Sequence, residues 1–234
     1  MFKLTYLNIA TIILDVSSIM LVLGILLQTR FMRQSGRRSD RLFFWMLFIT
    51  VVMAVTDILG YLTEGIADPT LILVQYASMT VFYLALTVLV MIWLGYCSLR
   101  FKAQEKKEAR VPRAVFIPGV LVLCLIIINL FTGWVFRIDE TGAYYHGLLF
   151  IPMYVVFAFY LVIGFVYIGK YRAADRRALI PLWIYVVPIA VSLVVTFVIG
   201  EISMAALGTA ITIVFTHLGT MNEVAEISTK ESVS

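Results

Sequence analysis

"TLILVQYASMTVFYLALTVLVMIWLGYCSL", residues 70–99, runs for thirty positions without one Asp, Glu, Lys or Arg. A bilayer core of about 30 Å is crossed by about 20 apolar residues in a helix. This stretch exceeds one crossing, so it reads as a transmembrane helix that overhangs or tilts. Working outward from it, further windows of the same kind lie at 5–29, 42–63, 114–136, 148–169, 179–199 and 202–219. Composition agrees with them. The chain is 62% hydrophobic and 14% charged, whereas soluble domains carry about 25% charged residues. The expected fold is an all-α membrane protein. It is a seven-transmembrane helix bundle over 1–219, followed by a short cytoplasmic tail over 220–234. The links are short, which leaves no room for a separate soluble domain. The first window lacks a small-residue cleavage site and is too long for a signal peptide's apolar region, so it reads as a span. Cys97 and Cys124 fall inside predicted spans and are expected to behave as small hydrophobes, not as a disulfide.

Charge sets the expected orientation. Arg30, Arg33, Arg37, Arg38 and Arg41 share the first link. Arg100, Lys102, Lys106, Lys107, Arg110 and Arg113 share the third, and Lys170, Arg172, Arg176 and Arg177 the fifth. With Lys230 in the tail, only Lys3 and Arg137 remain for the other side. Cationic loops stay in the cytoplasm, so the N-terminus is expected outside and the C-terminus inside. An odd number of spans requires the same. The net charge of +4 is then topogenic charge meeting anionic lipid, and no nucleic-acid partner is expected. The location is the cell membrane, multi-pass.

Polar residues concentrate in the outer half. An Asp at the centre of a membrane helix costs about 2.5–3.5 kcal/mol on an insertion scale, yet Asp15 and Asp57 both lie in spans. At 1.5 Å rise per residue, Asp57 lies about 9 Å below the outer end of its helix, Gln75 about 8 Å, Asn129 about 10 Å and Asp15 about 15 Å. Tyr61 and Glu64 follow Asp57 on the same helix face. Tyr76, Tyr83, Tyr154 and Glu201 add to that half. Two readings stay open: an extracellular-facing pocket for a small ligand, or interhelical glue that fixes the bundle. On the pocket reading, Asp57 is the anchor, with Asn129 and Gln75 beside it, Asp15 beneath it, and Tyr61, Tyr76, Tyr154 and Glu201 around it. The turn at 137–147, with Tyr145 and His146, forms its lip. With no Lys or Arg in any span to pair with Asp57, the expected ligand brings an amine or several hydroxyls. His217 reads as a cap at the cytoplasmic end.

Several chemistries find no support. No lysine lies in a span, which excludes a retinal Schiff base. His146 and His217 lie at opposite faces and make no metal site. No GxGD motif surrounds either acid, which argues against an intramembrane aspartyl protease. No phosphate-binding loop or nucleophile elbow is present. The protein is therefore not expected to be an enzyme, and no cofactor is expected. Pro188 would kink the sixth span. Spans 1–3 contain no proline, so the matched broken helices of a transporter's two halves are missing.

"NLFTGWVFRIDETGAYYHGLLF", residues 129–150, resembles a segment of the seven-helix sensor regions that open bacterial, mainly Firmicute, diguanylate cyclases and histidine kinases. Asn129, Thr132 and Gly133 match the end of that family's fourth helix. Asp139 and Glu140 match the loop, and Tyr144 or Tyr145, His146 and Gly147 match the start of the fifth. "VTDILGYLTEG", residues 55–65, is similar to the end of the second helix, with Asp57 at the acidic position. The resemblance implies ligand sensing without supplying an activity. In the family, the seventh helix continues into a cytoplasmic catalytic domain, whereas here "HLGTMNEVAEISTKESVS" follows. The expectation is a receptor-like sensor that signals through a cytoplasmic partner or an output domain cut away. A small-solute carrier and a ligand-free assembly protein are the alternatives. A homodimer is compatible with all three.

Overall fold

Each apolar window that the structure covers becomes a helix. The computed structural model describes residues 5–30, 38–105, 112–170, 187–192, 194–196 and 203–218. Helix α1 spans Tyr6–Arg30, α2 Arg38–Thr63 and α3 Pro69–Glu105. A short 3-10 turn, Arg113–Phe116, leads into α4, Ile117–Thr132. Strands β1, Phe136–Ile138, and β2, Tyr144–His146, come next, and then α5, Phe150–Lys170. Further apolar helical stretches are Val187–Thr196 and Ala205–Leu218. The protein is thus mostly helical. Among the described residues, four helices are long and apolar enough to cross a membrane: Tyr6–Thr29, Ser39–Thr63, Pro69–Leu99 and Arg113–Thr132.

Helix α3 is the centre. It packs against α2, α4, α5 and β1, while α1 leans on α2. Of its most apolar stretch, 67% is buried, against 28% for α1 and 22% for α4. The outer helices instead present Ile13, Met20, Leu27, Leu121, Phe131 and Val162 at their surfaces, which suits a lipid environment. The 37 residues of α3 reach about 55 Å at 1.5 Å per residue. That is well beyond a bilayer core and explains the excess length of the 70–99 window.

Close helix contacts depend on small residues. A Cβ added at Gly164 of α5 would stand 2.6 Å from a carbon of the Trp93 indole on α3. Gly164→Leu should therefore destabilise the protein by about 1–3 kcal/mol through overpacking. Gly24→Leu, where nothing lies within 4 Å, should leave thermal unfolding of the purified protein nearly unchanged. Equal effects at the two sites would refute the α3–α5 contact.

The fourth apolar window ends earlier than its expected limit of 136. Helix α4 stops at Thr132 because Gly133 adopts a left-handed conformation, φ 63°, with its N–H bonded to the Asn129 carbonyl. The chain then forms an antiparallel hairpin that the all-α expectation lacked, pairing Phe136 with His146, Arg137 with Tyr145 and Ile138 with Tyr144. Among the sequence expectations, Lys3, most of the cationic link residues, Glu201 and the tail at 220–234 lie outside the described residues. Pro188 stands at the edge of them.

Candidate functional site

The hairpin is built as a plug. Opposed residues of an antiparallel pair share a face, and successive residues alternate. One face therefore carries Phe136, Ile138, Tyr144 and His146, and the other Arg137 and Tyr145. Phe136 is fully buried, with ring centroids 5.1 Å from Tyr76, 5.5 Å from Tyr83 and 5.8 Å from Tyr144. The Tyr83 and Tyr144 hydroxyls lie 2.7 Å apart. His146, at the exposed end of that face, stacks on Phe150 at 3.8 Å, and the desolvation lowers its pKa.

Asn129 holds the plug in place. Its Oδ1 accepts from the Val135 N–H at 2.7 Å and the Phe136 N–H at 3.3 Å. Its Nδ2 donates to the Phe136 carbonyl at 3.1 Å and to the Tyr76 hydroxyl at 3.4 Å. The Tyr76 hydroxyl in turn donates to the Asn129 carbonyl at 2.7 Å. The Asn129 amide is thus fully engaged in positioning the hairpin, which leaves it no free atom for a ligand. At the other end, Gly65 donates its N–H to the Gly142 carbonyl at 2.9 Å. A Cβ at Gly142, φ 79°, would stand 2.7 Å from the Ile66 carbonyl oxygen, so only glycine lets the tip dock on the α2–α3 link.

The turn is tied by Asp139. Its Oδ1 accepts from the Thr141 hydroxyl at 2.6 Å and from the Thr141 and Ala143 amides at 2.9 and 3.0 Å. These bonds, the Thr141 hydroxyl first, hold the carboxyl below the usual range. A depressed carboxyl contributes stability that is present above its unfolded pKa and is lost as pH falls through the folded one. The Thr141 and Ala143 amide resonances should therefore titrate with a midpoint below about 3.9, the ordinary Asp value. Asp139→Asn should abolish that transition, and a midpoint at or above the ordinary value would refute the tie.

Beneath the plug lie the acids. Asp15 on α1 retains 1% of its exposure and Asp57 on α2 2%, and their carboxyls face one another. The hydroxyl of Ser203, at the start of the last described segment, lies against Asp57. The Tyr61 hydroxyl lies against Thr11 and within electrostatic reach of Asp57, Glu64 and Asp15. Tyr83, Tyr144 and Tyr154 are all within electrostatic reach of Asp57. The acid pair thus connects through tyrosines to the plug.

Most buried hydroxyls in the protein are satisfied locally. Thr50, Thr80, Thr87, Thr209 and Thr216 each donate to the carbonyl four residues earlier. The acid site differs. Both carboxylate oxygens of Asp15, Oδ2 of Asp57 and Oγ of Ser203 are buried with no hydrogen-bond partner among the described residues. Gln75 is fully buried, and both of its amide atoms are likewise unpaired.

The residues expected from sequence separate into groups. Asp15 and Asp57 come together, with Tyr61 and Tyr154 within electrostatic reach of Asp57. Tyr76 and Asn129 join the plug. Tyr145 is on its outer face, 45% exposed, with the Arg137 guanidinium 5.5 Å from its ring. The inward residue is Tyr144, and strand alternation could have chosen it once a hairpin was recognised. Tyr83, counted with the outer half in the sequence, joins the arrangement, and so do Ser203 and Phe136, which nothing in the sequence singles out. His217 bonds to Gln28 at 3.1 Å at the other end of the bundle. An apolar cleft lined by Leu86, Val90, Phe157, Leu161, Ile189 and Ser192 contains none of the acids. Among the described residues, no three of His, Cys, Asp and Glu gather as a metal cluster.

Comparison of the chain with protein-family models, with characterised proteins and with solved structures found no match.

Proposed function

We propose that this protein is a receptor-like membrane sensor. It binds a small ligand from outside at the Asp57 site and signals through a cytoplasmic partner or an output domain. The observation that carries this reading is the group of buried oxygens on Asp15, Asp57 and Ser203 that have no hydrogen-bond partner among the described residues. Interhelical glue requires polar groups that satisfy one another, and among the described residues most oxygens of this group make no hydrogen bond of good geometry. A ligand that brings a positive charge or several donors would supply what they lack. The aromatic hairpin above them provides a cover whose displacement would admit it. The likeness of residues 129–150 to bacterial seven-helix sensor regions points the same way. A carrier would need a polar path onward to the inner face, whereas the cleft lined by Leu86, Val90, Phe157 and Leu161 is apolar.

The full proposal includes seven spans with the N-terminus outside. Tag accessibility in intact cells should then place residues 101–113 inside and 137–147 outside, and the reverse pattern would end the sensing argument. The function itself is tested by a ligand-shift thermal screen of amines and polyols on the purified protein. A saturable shift supports it, and no shift from either class counts against it.

A further inference from the structure

We propose that Asp15, Asp57 and Ser203 form an occluded site for one small hard cation, held by oxygen atoms alone. The inference deepens the sensing proposal, since it uses the same acid pair, but it does not depend on the identity of the sensed ligand. It starts from charge. Two carboxyls meet in the interior of the bundle, and the spans contain no Lys or Arg to balance them. A buried carboxylate must be paired or neutralised.

A proton is one answer, but it satisfies little. Shared between the two carboxyls, it pairs one oxygen with one other. Among the described residues, four oxygens have no hydrogen-bond partner: Oδ1 and Oδ2 of Asp15, Oδ2 of Asp57 and Oγ of Ser203. A metal ion engages several oxygens at once. Ser203 is the independent observation here. It is a neutral side chain, 7% exposed, lying against Asp57 with no partner of its own among the described residues. A set made only of carboxylate and hydroxyl oxygens selects hard cations of the sodium, magnesium or calcium kind over softer transition metals.

Size narrows the choice further. These atoms are so enclosed that a water molecule does not fit against any of them. A dehydrated sodium, magnesium or calcium ion is smaller than water and so demands less room than any organic ligand. An organic amine requires the plug to move. The closed protein is therefore a cation-loaded resting state, in which the ion holds α1, α2 and the segment at Ser203 together.

The test uses the purified full-length protein in detergent, without any organic ligand. Thermal unfolding is followed in caesium chloride at constant ionic strength, with sodium, potassium, magnesium or calcium replacing the much larger caesium ion. A saturable rise in Tm with sodium alone assigns a monovalent site, and one with magnesium or calcium alone assigns a divalent site. Either outcome supports the proposal. Asp15→Asn should abolish the rise. Ser203→Ala, which disturbs the fold less, should weaken half-saturation by about tenfold or more, the scale seen when groups around a bound metal are removed. Identical Tm in all salts would overturn the proposal, as would a rise that survives both substitutions. If organic amines still shift Tm when no metal does, the cation site falls and the sensing site stands.

Discussion

Asn129→Ala should unseat the hairpin and lower stability by about 3 kcal/mol or more, since each buried backbone group left unpaired costs about 1–3 kcal/mol. Three such groups depend on its amide: the Val135 and Phe136 N–H groups and the Phe136 carbonyl. Water could rescue them at a surface. Here Val135 and Phe136 are both fully buried, so the hairpin must either keep unpaired groups or move outward. Tyr76→Phe is the milder comparison. It removes the 2.7 Å bond to the Asn129 carbonyl and should cost about 1 kcal/mol. Two measurements check this. Thermal unfolding should rank Asn129→Ala well below Tyr76→Phe and wild type. In a Phe136→Cys background, a water-soluble maleimide should react slowly with Asn129 present and quickly with Ala in its place. Equal labelling rates would mean that the plug is held by something other than this amide.

The same residue shows where the sequence was legible and where it was not. The membrane class and the positions of the helices follow from runs of apolar residues, because a bilayer leaves a backbone no alternative to internal hydrogen bonds. The polarity of 129–147 was equally plain. Its use was not. Depth counting grouped Asn129 with Asp57 and Gln75, but an amide that fills its hydrogen bonds with its own loop cannot also serve a ligand. That outcome turns on Gly133, which ends α4 early and bends the chain back over Asn129.

Depth counting also set Asp15 about 6 Å deeper than Asp57, yet the two carboxyls meet. Counting from helix ends assumes that the ends are level, and nothing in the sequence fixes that. Tyr144 and Tyr145 differ for a related reason. Which of two adjacent tyrosines faces inward depends on strand register, and register comes from the Asp139–Ala143 turn and from the docking of Gly142 on Ile66. These are contacts between distant segments, and one sequence does not reveal them.

Asp57→Asn separates the two readings of the acid pair, because it preserves shape and removes only charge. If Asp57 serves as glue, the change alters stability and leaves ligand affinity intact. A neutral amide beside Asp15 could even relieve repulsion between two buried carboxyls. If Asp57 anchors a cationic or hydroxyl-rich ligand, affinity should fall by about 1.5–3 kcal/mol, the range for hydrogen bonds to charged groups. That is about 10- to 150-fold in Kd. The fold should survive, since the side chain's volume is nearly unchanged. Tyr154→Phe provides the control. Its hydroxyl stands within electrostatic reach of Asp57 but carries no charge, so it should reduce affinity by about 1 kcal/mol at most. The measurement is isothermal binding of whichever amine or polyol gives the largest thermal shift in the wild-type protein, repeated on each variant that unfolds cooperatively. A loss in Asp57→Asn that exceeds the loss in Tyr154→Phe assigns the anchor to the carboxylate. An unchanged Kd in a well-folded Asp57→Asn protein would remove Asp57 from the ligand site and return the acid pair to structure.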